Sequence, residues 1–130
     1  MDWIGTIVAG LAGFAFGAAW YITLGERWRI AAGLSEEQVK QGGSKPTPYI
    51  IAVLCAVLVA ETMRLVFLAG DLSAAVECTA AGFALGAFLA APWLVVGYGF
   101  AQRSPTLAVI DAGHVTGACT VIGFVLSLLL

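Results

Sequence analysis

Residues 3–24 read WIGTIVAGLAGFAFGAAWYITL, a run without one charged side chain. As a helix rising about 1.5 Å per residue, it is long enough to cross a hydrocarbon core of about 30 Å. Charge returns directly afterwards, in Gly25-Glu26-Arg27-Trp28-Arg29. The run is too long for the apolar core of a cleavable signal peptide, and its basic residues follow it instead of preceding it. The sequence therefore predicts a retained membrane span.

Three more runs repeat this character. Tyr49 to Ala69 opens after Pro46-Thr47-Pro48, where proline suits a helix start, and closes at Gly70-Asp71. Ala74 to Ala101 is longer than a bilayer needs and contains Pro92, which removes a backbone donor and predicts a kink. Thr106 to Leu130 follows Ser104-Pro105. The runs are continuously apolar and do not alternate every second residue, which excludes a membrane barrel. Composition agrees, with 61% hydrophobic and 11% charged residues and a mean hydropathy of +0.97. Soluble domains have about 45–50% and 25%. The 130 residues accommodate four spans and no second domain. The expectation is one all-α integral membrane bundle over residues 1–130, in up-and-down order because the turns near 70–73 and 102–105 are short.

Arg27, Arg29, Lys40 and Lys45 lie in the first connection and Arg103 in the third, while the second has no basic residue. The excess of Lys and Arg on cytoplasmic loops places both termini on the non-cytoplasmic side. Arg64 is the mild exception, near enough to the outer end of its helix to snorkel. Within the cytoplasmic loop 25–47, Ser35 and Gln38 have the spacing of a capping box, with Leu34 and Val39 as its staple. A short helix should start at Glu36 and end at Gln41-Gly42-Gly43-Ser44. Trp28 between Arg27 and Arg29 suits a headgroup layer. A net charge of -2 with dispersed basic residues excludes a nucleic-acid partner.

The segments Gly17-Ala18-Ala19-Trp20-Tyr21, Arg27-Trp28, Gly33-Leu34-Ser35-Glu36-Glu37-Gln38 and Ile110-Asp111-Ala112-Gly113 occur in an order that resembles the small bacterial membrane proteins grouped as domain of unknown function 1761. The resemblance covers nearly the whole chain. It implies a four-helix integral protein of the bacterial inner membrane and offers no mechanism. Two departures stand out. His114 occupies the position where the family pattern has a tyrosine-like aromatic, so no role for that histidine carries over. Ile22-Thr23 replaces the proline that commonly follows the Trp-Tyr pair.

Polar groups at membrane depth are the candidate sites, because such groups are costly in hydrocarbon and face a partner or a cavity. Glu61 and Arg64 share a helix face, and Glu77 lies at similar depth beyond the turn. The three could form an ion-pair cluster that orients the hairpin, a polar pocket or a contact with a partner. Asp111 and His114 are again three residues apart. His114 reads as a neutral imidazole hydrogen-bonded in the bundle, as part of a proton relay, or as the axial ligand of a tetrapyrrole seated beside Gly113, Gly117 and Ala118. The pairs Gly13 and Gly17, Gly82 and Gly86, and Gly113 and Gly117 have the small-xxx-small spacing that lets helices approach closely. Cys55, Cys78 and Cys119 read as small hydrophobes.

No Cys-x-x-Cys, His-x-x-x-His, Gly-x-Ser-x-Gly or phosphate-loop pattern occurs, so neither a metal site nor an enzyme is expected. The preferred reading is a non-enzymatic accessory or scaffold subunit, or a homo-oligomer, that contacts membrane lipids and either other membrane proteins or itself. A cofactor is expected only if His114 holds a tetrapyrrole or a lipid is bound. The alternative is a small transporter or channel whose polar path is lined by Glu61, Glu77, Asp111 and His114.

Overall fold

The computed structural model describes residues 2–130. Its helices are α1 (Asp2–Ala32), α2 (Glu36–Gly43), α3 (Thr47–Ala69), α4 (Ala75–Leu85), α5 (Ala91–Phe100) and α6 (Pro105–Leu129), with one π-helical segment, Gly86–Ala90, between α4 and α5. No strand is present among the described residues. Four stretches are long and apolar enough to cross a membrane: Trp3–Ala32, Thr47–Ala69, Ala75–Phe100 and Pro105–Leu129. The chain is thus an all-α bundle and a multi-pass membrane protein.

Large apolar side chains face outward, as lipid requires. Leu58 is 68% exposed, Trp93 71% and Phe100 88%. Lipid tails are as apolar as leucine, so burial of such groups would not hold the bundle together, and close packing and interhelical hydrogen bonds must do so. Helix α6 is the centre of that packing. It lies against α1, α4, α5 and the π segment, whereas α3 packs on α1 and only lightly on α6. Phe67, Cys78, Ile122 and Leu126 belong to the core these contacts enclose.

The helices differ from the sequence reading by more than one residue at the end of the first span and the start of the second, and the third span carries a distortion of its own. Helix α1 continues to Ala32 instead of stopping at Leu24. Glu26, Arg27 and Arg29 are good helix formers, so polarity marks where the membrane ends without ending the helix. Gly33 then takes φ 72°, and the Leu34 amide donates to the Arg29 carbonyl, a Schellman-type stop. Helix α3 starts at Thr47, two residues earlier than read. In the third span, Pro92 cannot donate and would crowd the carbonyl four residues back. The helix widens by one π turn just before it, with the Ala91 amide donating to the Gly86 carbonyl, and α5 resumes.

The short helix α2 starts at Glu36 behind a complete capping box, in which Ser35 Oγ accepts from the Gln38 amide and Gln38 Oε1 from the Ser35 amide. Helices α3 and α5 end with Asp71 (φ 56°) and Gln102 (φ 57°) in the left-handed region. Leu72 N then donates to Phe67 O, and Arg103 N to Tyr98 O. Ser104 Oγ accepts from Leu107 N and donates to the Ala31 carbonyl at 3.0 Å, which ties the start of α6 to the end of α1.

Candidate functional site

Asp111 lies one and a half turns into α6 and is 7% exposed. Two phenols reach it from different helices. Tyr98 Oη, on α5, donates to Oδ2 at 2.5 Å, and Tyr21 Oη, on α1, donates to Oδ1 in a short contact. One residue away, Trp20 Nε1 donates to the Ile110 carbonyl at 3.0 Å. The cluster joins α1, α5 and α6 at the end of the bundle that carries the long loop.

His114 does not complete this cluster. Its ring sits 5.0 Å from that of Tyr21, and a Cβ added at Gly17 would lie 2.6 Å from Nε2. The imidazole lines a groove between α1, α3 and α6, together with Tyr21, Tyr49 and a series of small residues. The sequence-based pairing of Asp111 with His114 is therefore replaced by pairing of Asp111 with two tyrosines.

At the opposite end, Glu61 of α3 accepts from Arg64 Nη2 at 2.6 Å, from Arg64 Nε at 2.9 Å and from Thr6 Oγ1 of α1 at 2.7 Å. Thr6 is fully buried. Glu77 stands apart: its carboxylate reaches back to the Ala74 amide at 3.4 Å, at the exposed start of α4. It does not join Glu61 because α3 leans on α1, not on α4.

The glycine pairs face neighbouring helices within the chain. Gly13 meets Ile122 and Gly17 meets His114, while Gly113 and Gly117 are covered by the rings of Trp20 and Phe16. A flat ligand beside Gly113 and Gly117 would have to displace those two rings. Gly82 lies against the Cys119 carbonyl and Gly86 against Thr116, so α4 and the start of the π segment touch α6 backbone to backbone. Cys78 and Cys119 are buried near this contact, and Cys55 is exposed on α3. No group of three or more His, Cys, Asp or Glu side chains suited to a metal exists among the described residues.

The Trp20-Tyr21 pair and the buried aspartate thus belong to one hydrogen-bonded unit, and the chain segments that carry it fall inside a single family model. Residues 4–127 match the family described as "Protein of unknown function (DUF1761)". The chain belongs to this family. No curated protein and no solved structure matches it.

In this DUF1761 member, the residues that sequence reasoning overlooked are Thr6, Tyr21, Tyr98 and Gly10. Tyr21 was visible only as part of the family-like Trp-Tyr pair. A signal was available for the first three: each puts a hydroxyl into an apolar span, where it must find a partner. Gly10, where a Cβ would lie 2.9 Å from Val57 Cα, lets α3 approach α1 and belongs to no Gly-xxx-Gly pair.

Proposed function

We propose that the chain acts without catalysis, as an accessory or scaffold subunit of a membrane protein assembly or as a homo-oligomer. Its setting in this reading is the bacterial inner membrane, with both termini outside the cytoplasm. The observation that carries the proposal is how its polar groups are used. The Asp111 and Glu61 carboxylates are both engaged in hydrogen bonds between helices. Thr6 and Tyr21, their partners on α1, are about 22 Å apart at 1.5 Å per residue. Apolar core residues such as Ala9, Ala60 and Ile122 separate the two clusters. Such an arrangement holds helices in register, and no chain of carboxylates joins the two clusters among the described residues.

The surface of α3 favours an assembly role. Gripped mainly by α1, this helix leaves most of its circumference, including Leu54 (60% exposed) and Leu58, for lipid or another protein. Native membranes extracted in mild detergent test the reading. The 13.4 kDa chain should migrate in a discrete larger complex, and Leu54→Trp or Leu58→Trp should release it as a folded monomer. A wild-type chain that is monomeric after crosslinking in the membrane contradicts the proposal.

A further inference from the structure

The groove beside His114 has a volume of about 510 Å³, within the range of small-molecule sites. It exists because α3 diverges from α6 while holding α1, and because its walls are built from small residues, among them Gly13, Ala18, Ala52, Ala56 and Ala118. The groove is graded along the bundle axis. At the loop end it is bounded by Tyr21, Tyr49 and His114, and toward the middle of the bundle by Val59 and Ile122.

Three properties define an occupant. First, the lining contains no Asp, Glu, Lys or Arg, so charge complementarity calls for a neutral molecule. Depth supports this: nine residues of α6 separate His114 from Pro105, about 13 Å at 1.5 Å per residue. That is below a headgroup layer of about 5–8 Å on each side, where a charged headgroup would be costly. Second, the imidazole makes no hydrogen bond with the described residues, yet no buried side-chain nitrogen is left unpartnered. Its ring nitrogens are therefore not sealed inside protein, and an imidazole N–H can donate to an oxygen in the groove. Third, the aromatic faces at this end suit a flat ring, while the other end suits a hydrocarbon tail.

We propose that this groove binds a neutral ring-headed lipid of the isoprenoid quinone class, with one carbonyl oxygen hydrogen-bonded to His114 and the tail running past Ala56 toward Val59 and Ile122. A fatty acid or phospholipid would bring an uncompensated charge to the imidazole. A pure hydrocarbon would leave the imidazole N–H without an acceptor.

The full-length protein in nanodiscs is titrated with decylubiquinone, and quenching of its tryptophan fluorescence is compared with partition into empty nanodiscs. Saturable quenching is expected. The affinity should fall at least tenfold in His114→Leu, stay within threefold in His114→Gln and be lost in Ala56→Phe, which fills the groove away from the imidazole. Decylbenzene, with the same tail and no carbonyl, and palmitate, with a charged head, should fail to displace the quinone from the wild type. This arm needs no variant to fold. Non-saturable quenching, unchanged affinity in a folded His114→Leu protein, equal competition by either compound, or a tetrapyrrole band in the purified protein would overturn the proposal.

Discussion

Tyr98 Oη and Asp111 Oδ2 are joined by a 2.5 Å hydrogen bond across the turn at 101–104, which fixes the end of α5 against the start of α6. Tyr21 holds the other carboxylate oxygen from α1, so one buried side chain sets the relative position of three helices. In lipid an unpaired polar group has no water to turn to, so the cost of breaking this set falls on the fold.

Tyr98→Phe and Tyr21→Phe should each lower stability to thermal or denaturant unfolding in detergent by about 1–2 kcal/mol, the scale of one hydrogen bond inside a membrane protein. Asp111→Leu should cost more than either, because it strands two hydroxyls. The double variant Tyr98→Phe with Asp111→Leu should lose less than the sum of the singles. Additive losses would mean that the two residues do not interact.

At the other end, Arg64→Leu leaves Glu61 without its guanidinium partner and should reduce the yield of folded protein. Adding Glu61→Leu should recover part of the loss, because a charge left unpaired within an apolar span is worse than none. The folded fraction after purification measures both. No recovery in the double variant would contradict the coupling.

The glycines divide by what a methyl group would meet. Gly123 packs against the Cys78 carbonyl of α4, so Gly123→Ala must push two backbones apart, at a cost of about 1–3 kcal/mol. Gly97 has open space around it, and Gly97→Ala should be neutral or stabilising by up to about 1 kcal/mol. Melting temperatures in one detergent compare the two directly.

The spans were legible because each is a continuous apolar run, a local property. Their ends were less so: Glu26 to Arg29 signal departure from the membrane but not departure from the helix, and Pro92 announces a distortion without saying that it becomes a π turn. Asp111 and Glu61 also stood out, since a carboxylate in such a run is conspicuous. Their partners were harder to read. Spacing along one helix pointed from Asp111 to His114, yet positions three apart differ by about 60° around the axis, enough to turn one toward Tyr98 and the other toward Gly17. Tyr21 and Thr6 come from another helix, and only the packing of α1 on α6 and α3 brings them in. Glu77 failed to join Glu61 for the same reason, because a short turn between α3 and α4 does not make them neighbours along their length.

Orientation rests on the Lys and Arg count. Single cysteines at Gly43 and Ser73, in a background where Cys55, Cys78 and Cys119 are replaced by Ala, should be respectively protected from and labelled by an impermeant maleimide in intact cells. The reverse pattern would invert the topology.

In the function proposed above, the Asp111 and Glu61 carboxylates hold helices together and do not conduct. Purified protein in liposomes loaded with a pH-sensitive dye tests it most directly, under an imposed proton gradient. Wild type should leak no faster than empty liposomes, and Asp111→Asn should not change the rate. A wild-type proton flux that disappears in Asp111→Asn would contradict the account.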